Sequence, residues 1–340
     1  MSHTFITGGA GFIGSHLAER LVSEGGSVTV LDDLSTGSRE NLAHLERNPR
    51  FTVIKDTILN EPLVRKLTQR CDRVVHLAAA VGVRYVLQHP LSSIKTNVEG
   101  TDIVLKSAAV EGRKTIVAST SEVYGKNESE QLCETADSIL GSSSISRWSY
   151  ATAKKLDEFL ALAYGETLGL PVVVTRFFNI VGPRQRARYG MVLPNFIRAA
   201  LAGEPIRVFG DGRQTRNFCF VGDCIDAMMS LLESRSVHGE AFNIGGPEEV
   251  SMNELAERVK RLTGSKSPIV KIPYQEAYPE GGFEDMRRRV PCICKIERMT
   301  GWRPRAGLDA IILQTASYEA QRGHPAQLAP VEEPVASTEG

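Results

Sequence analysis

Three glycines, Gly8, Gly11 and Gly14, follow a short β-rich stretch (His3–Thr7) and open an apolar helical pattern through Phe12, Ile13, Leu17, Leu21 and Val22. Glycine lets a chain turn tightly, brings backbone close to a pyrophosphate and packs helix on strand. The helix start then offers unpaired N–H groups and a partial positive charge to phosphates. A second strand, from Ser27 to Leu31, runs into Asp32 and Asp33. A carboxylate there accepts ribose hydroxyls and repels a 2′-phosphate, which favours NAD over NADP. Strand, glycine turn, helix and terminal acid agree on a dinucleotide-binding unit. Gly8, Gly11, Phe12, Ile13, Asp32 and Asp33 are its candidate cofactor contacts. Asp56, after a third strand (Phe51 to Lys55), is placed to reach an adenine.

The alternation continues. Val74, Val75 and Leu77 form a fourth strand, Thr115 to Ala118 a fifth and Val172 to Thr175 a sixth, with helical stretches between them. Strands alternating with helices predict an α/β fold, a Rossmann-type doubly wound parallel sheet. After Asn179 the rhythm changes, which suggests a smaller α/β substrate-binding lobe. The expected division is a dinucleotide-binding domain at 1–178, with 217–247 returning to it. Residues 179–216 and 248–318 form the lobe, and 319–340 a disordered tail rich in Pro, Ala, Glu and Gly. A chain of 340 residues can bury a core of that size. Forty basic residues balance forty acidic ones, so no general attraction to nucleic acid or anionic membrane is expected. No apolar run is long enough to span a bilayer, and Thr7, Gly8 and Gly9 interrupt any signal-peptide core, so the expectation is a soluble, cytoplasmic protein. The six cysteines are scattered, and Cys292 and Cys294 lack the spacing of a zinc or redox pair. Reduced structural thiols and no metal are expected.

Tyr150 and Lys154 stand four apart in a helical stretch, and so share one face. A free phenol has a pKa of about 10 and is a poor base at neutral pH. A neighbouring ammonium and an oxidised nicotinamide favour the phenolate, which can then take a proton from a sugar hydroxyl as hydride leaves. Such a pair is common on surfaces. It gains meaning from Ser119-Thr120-Ser121-Glu122 at the end of the fifth strand, because ligands of open parallel sheets bind beyond the carboxyl ends of strands.

Together these segments resemble the extended short-chain dehydrogenase/reductases, specifically their nucleotide-sugar epimerases, dehydratases and decarboxylases. The resemblance extends over about residues 3 to 315 and includes Leu31 to Gly37, His76-Leu77-Ala78-Ala79, Ser119 to Gly125, Arg176-Phe177-Phe178-Asn179, Val181 to Arg184 and Phe242 to Gly245. It implies NAD that is reduced and reoxidised within one turnover, with Leu77, Ala78 and Ala79 also at the cofactor. Tyr150 would be the base at the sugar C4 hydroxyl, Lys154 would hold the nicotinamide ribose, and Thr120 would hydrogen-bond the reacting oxygen. Ser121, Asn179, Val192, Arg216, Arg287 and Arg289 would contact a nucleotide diphosphate-sugar, a UDP-sugar first.

Oxidation at C4 opens every reaction of this group. Glu122 then leans the resemblance toward decarboxylation of UDP-glucuronate to UDP-xylose, with Glu122 and Arg216 handling the C5 carboxylate. A UDP-glucose or UDP-glucuronate 4-epimerase and an NDP-hexose 4,6-dehydratase are the alternatives. A non-catalytic dinucleotide-binding module is more distant, because Tyr150, Lys154 and Thr120 are all kept. Family members dimerise through two helices, matching about residues 91–110 and 150–164 here, so the resemblance implies a homodimer.

Overall fold

The structure is a computed structural model that describes residues 2–82, 86, 89–186, 191–277 and 284–323. Seven strands form the central sheet: β1 (His3–Thr7), β2 (Ser27–Asp32), β3 (Phe51–Lys55), β4 (Arg73–His76), β5 (Lys114–Thr120), β6 (Val172–Phe177) and β7 (Glu240–Ile244). Their order is β7-β6-β5-β4-β1-β2-β3 and every pairing is parallel. The chain winds outward from β1 to β3, then returns to β4 beside β1. That reversal opens a crevice beyond the carboxyl ends of β1 and β4. Val28, Val30, Val74, Val75, Val117, Val172, Val173 and Val174 are all buried, as expected for strands covered on both faces.

Helix α1 (Phe12–Ser23) starts at the glycine turn, α2 (Glu61–Gln69) follows β3, and α3 (Pro90–Val110) lies beside α4 (Trp148–Leu168). Gly8 has φ +72°, and a Cβ there would stand 2.6 Å from the Ala78 backbone nitrogen. No other residue lets β1 turn so close to the end of β4.

The helices Val192–Ala202, Met252–Leu262 and Leu308–Gln321 share a separate core around Phe196, Ile197, Leu255, Val259, Ile311 and Ile312. Two segments depart from the expected division. Helix Cys294–Thr300 packs on β7, and its Ile296, with Trp302, joins the sheet-side core, not the lobe. Two turns show too little periodicity to reveal which core they cover. Residues 319–321, expected in the tail, finish the last helix, where buried Glu319 accepts from Arg198 at 2.7 and 3.1 Å. Residues 324–340 of the expected tail lie outside the described residues.

A buried polar network fixes the ground beneath the crevice. Glu158 of α4 accepts from Arg176 of β6 through both carboxylate oxygens, each at 2.8 Å, and from Ser119 at 2.6 Å. Arg176 also donates to the Tyr124 hydroxyl, which donates to Asn243 of β7. Removing either member of the Glu158–Arg176 pair would strand a buried charge at a cost of about 3–5 kcal/mol. These bonds explain why Tyr124, Arg176 and Asn243 sit inside the matched segments although none reaches the crevice.

Candidate active site

A cleft of about 1040 Å³ runs from the start of α1 across the carboxyl ends of the sheet to the smaller lobe. Gly8, Gly11, Phe12, Ile13, Asp32, Asp33, Asp56, Leu77, Ala78 and Ala79 line one part of it. The first-turn N–H groups of α1 have no intrahelical partner and face this part. Asp32 is buried, and its carboxylate accepts from Ala10 N at 2.9 Å and Leu34 N at 2.8 Å. Burial raises its pKa against the pull of those bonds. Asp33 is exposed and accepts from Ser35 N. Asp56 accepts from Thr57 N and Asn60 Nδ2, so it also shapes the approach to α2. This donor set fits NAD: amides for a diphosphate, a carboxylate for a ribose diol, and apolar walls at Ile58 and Leu77–Ala80 for rings.

Thr120, Tyr150 and Lys154 line the same cleft. Thr120 ends β5 and its hydroxyl accepts from Glu122 N at 3.2 Å, which starts a single turn through Ser121–Tyr124. Tyr150 stands in the first turn of α4. Burial, then the carboxylates of Glu122 and Asp157, push its phenol pKa upward. The push is opposite to the lowering expected from Lys154; burial is its largest cause, and the Lys154 ammonium is bonded to Asp157 at 2.8 Å. Below them, buried His76 meets Thr7 at 2.7 Å and Thr101 at 3.0 Å. Burial, then the Lys154 charge, lowers its pKa to about 3, so it stays a neutral pin joining β1, β4 and α3.

The other part of the cleft is charged. Arg147 donates to Glu122 at 3.0 Å, and Arg289 stands 3.9 Å from the second Glu122 oxygen. Burial alone would raise the Glu122 carboxyl; Arg147 and Arg289 outweigh it and hold it below the usual range. Arg289 donates to Ser121 Oγ at 3.2 Å and to Asn179 Oδ1 at 3.5 Å. Its strand partner in register is Arg216, which donates to Asp285 at 2.6 Å. Asp285 also accepts from Tyr274. Burial, then the like charge of Arg216, lowers Arg289 to about 9. Its Nε is buried and has no hydrogen-bond partner among the described residues. Arg216 and Arg289 thus bring two adjacent guanidiniums to the cleft wall, where Arg289 Nε is open to an anion.

The expected substrate residues Ser121, Asn179, Val192, Arg216 and Arg289 all line the cleft. Arg287 does not: it is exposed, and its carbonyl pairs with Thr215 N. A run of three arginines carries no phase, and only Arg289 turns inward. The arginines against Glu122 are Arg147 and Arg289, not the expected Arg216, which is the strand partner of Arg289. Arg147, Asp157 and Asp285 belong to the site without any motif to mark them. Arg147 stands three residues before Tyr150 and Asp157 three after Lys154, so helical spacing could have found both. Asp285 carries no such signal.

The model of the NAD dependent epimerase/dehydratase family matches residues 4–245. The chain belongs to that family. Among its relatives is the UDP-N-acetyl-alpha-D-glucosaminuronate decarboxylase of Bacillus cytotoxicus, 41% identical over 314 residues, 92% of this chain and 96% of that protein. UDP-glucuronic acid decarboxylase 4 of Arabidopsis thaliana is 36% identical over 89% of this chain, which spans 65% of that relative's length. The UDP-glucuronic acid 4-epimerase of Bacillus cereus, solved with UDP-glucuronic acid and NAD, superposes with a TM-score of 0.85 at 29% identity over 94% of this chain and 99% of that one. The fold of this family is the doubly wound parallel sheet described above. Among the described residues, no helix is long and apolar enough to cross a membrane, and no His, Cys, Asp and Glu cluster could hold a metal.

Proposed function

We propose that the protein is an NAD-dependent decarboxylase of a UDP-linked hexuronate. The observation that carries this reading is Arg289, which lines the cleft with Tyr150, stands 3.9 Å from Glu122 and keeps a buried Nε with no hydrogen-bond partner among the described residues. A buried cation without its full complement of partners favours an anionic ligand. A uronate C5 carboxylate is such an anion.

NAD held at the start of α1 and by Asp32 would supply the hydride acceptor and, later, the donor. Tyr150 takes the C4 hydroxyl proton while hydride leaves C4, and Thr120 hydrogen-bonds the C4 oxygen. The resulting ketone is β to the carboxylate. Carbon dioxide departs, and the electron pair of the broken C5–C6 bond moves to the C4 oxygen as an enolate. Arg289 holds the carboxylate before it leaves, and Glu122, kept in place by Arg147, orders a water that gives C5 the proton replacing the lost carbon dioxide. Hydride returns to C4, and the Tyr150 phenol gives back its proton. Lys154 holds the cofactor ribose, and Arg216 and Asn179 face the diphosphate-sugar.

The 2-acetamido uronate is the first substrate to test, on the strength of the Bacillus cytotoxicus relative; UDP-glucuronate is the second. Product NMR with each sugar decides between readings. Carbon dioxide and a UDP-pentose are expected. A product that keeps its carboxylate and inverts C4 would establish a 4-epimerase instead. The protein acts as a homodimer in this reading, because Leu91, Ile94, Leu156 and Phe159 expose apolar surface on the paired helices α3 and α4.

A further inference from the structure

Cys292 and Cys294 flank Ile293 at the start of the helix Cys294–Thr300. Cys294 is exposed and Cys292 half-buried, whereas Cys71, Cys219 and Cys224 are buried. One intervening residue is fewer than a usual redox pair has, but Ile293 turns the chain with φ −106° and ψ 9°. Such a turn draws the flanking Cα atoms closer than an extended link would, into the range that a disulfide spans. The side chains already meet: the Cys294 thiol is hydrogen-bonded to Cys292, which raises its pKa.

Cys292 is also where the chain leaves the cleft wall. Arg289, three residues earlier, is held in register opposite Arg216. Val290 O accepts from Leu132 N at 2.8 Å, and Cys292 N donates to Leu132 O at 3.1 Å. Pro291 is pressed on Gly245, where a Cβ would stand 2.6 Å from the proline Cγ. Cys292 O accepts from Asn243 Nδ2 at 3.1 Å, which ties it to the buried network of Tyr124 and Arg176. A link pinned at every residue has no slack, so a displacement at Cys292 is passed to Arg289.

We infer that Cys292 and Cys294 are an oxidation site, closed to an intrachain disulfide by a low-molecular-weight disulfide such as oxidised glutathione, and that closure weakens the hold of Arg289 on an anionic sugar. The Cys294 thiolate attacks the small disulfide, forms a mixed disulfide and expels one thiolate. Cys292, having lost its proton to water, attacks Cys294 Sγ and expels the second. The protein gives up two electrons and two protons, and the small disulfide becomes two thiols. The second half of the inference rests on the reading of Arg289 as partner of a uronate; the first half does not.

The test treats the holoenzyme with oxidised glutathione and digests it with trypsin. Cleavage after Arg289 and Lys295 releases Val290–Lys295, which holds both cysteines and no others. This peptide should be lighter by two hydrogens, and dithiothreitol should restore them. Cys292→Ser should stop at the mixed disulfide on Cys294. A peptide that keeps both thiols, or one joined to Cys133, would overturn the site. The affinity of the oxidised holoenzyme for UDP-glucuronate, measured by calorimetry, should fall about fivefold or more and recover on reduction, while Cys294→Ser keeps its affinity under the same oxidant. Equal affinities of the fully oxidised and reduced enzyme would overturn the link to Arg289. Failure of the reduced enzyme to bind the uronate would instead reject the substrate reading, with the peptide result still deciding the oxidation site.

Discussion

The two parts of the cleft are built from different materials. The dinucleotide part is mostly backbone: a glycine turn, a helix start and small residues after β4, with few charges. The sugar part is mostly side chain: Glu122, Arg147, Arg216, Asp285 and Arg289, drawn from distant stretches and held by ion pairs. Backbone recognition cannot be altered by one substitution without moving the fold, so it suits a step common to a whole family. A cage of side chains can be revised residue by residue, so it suits the step that differs between reactions.

The largest effect should come where the parts meet. Tyr150→Phe should lower kcat by about 10³-fold while purified protein still carries NAD, measured by turnover and by released nucleotide. Loss of NAD in that variant would blur the division. Arg289→Leu should cost about 10²-fold in kcat/KM for a uronate and leave NAD affinity unchanged. Since Arg289 stands at about 9 in the free enzyme, wild-type affinity for the uronate should weaken as pH rises through that value. Glu122→Ala should still oxidise C4, seen as reduced-nicotinamide absorbance on mixing, yet slow product formation by about tenfold or more. An unchanged product rate would make Glu122 structural.

The smallest effect concerns stability and belongs to the dinucleotide part alone. His76 is neutral in the fold with a pKa near 3, against 6.5 in its ordinary state. Below pH 6.5 the unfolded chain binds a proton that the folded one refuses. Its contribution to stability is thus full above 6.5 and is lost as pH falls toward 3. His76→Asn should flatten the fall of Tm with pH across that window by about one proton's worth of slope. An equally steep fall in the variant would assign the acid sensitivity elsewhere.

The same contrast decides what could be read from the sequence. Gly8 to Gly14 and Asp32 announce their part because a backbone cradle must be contiguous. Tyr150 and Lys154 are legible through helical spacing, and Ser119 to Glu122 through their place at a strand end. Arg287 and Arg289 were both candidates in a run of three arginines, and only the register that sets Arg289 opposite Arg216 selects it. Asp285 was invisible, because its role arises from Arg216 and Tyr274 reaching it from elsewhere. Short elements such as Cys294–Thr300 were misplaced for the same reason: their partner, not their pattern, determines where they belong.

The stretch 284–286 fastens this assembly to α4. Glu284 accepts from Trp148 Nε1 at 2.9 Å, and Met286 packs with Trp148 and Ala151, one residue past the phenol. Asp285, between them, grips Arg216. One short segment thus braces two places at once, Arg216 at the wall of the sugar part and the turn of α4 that carries Tyr150, like a bracket screwed to both faces of a corner.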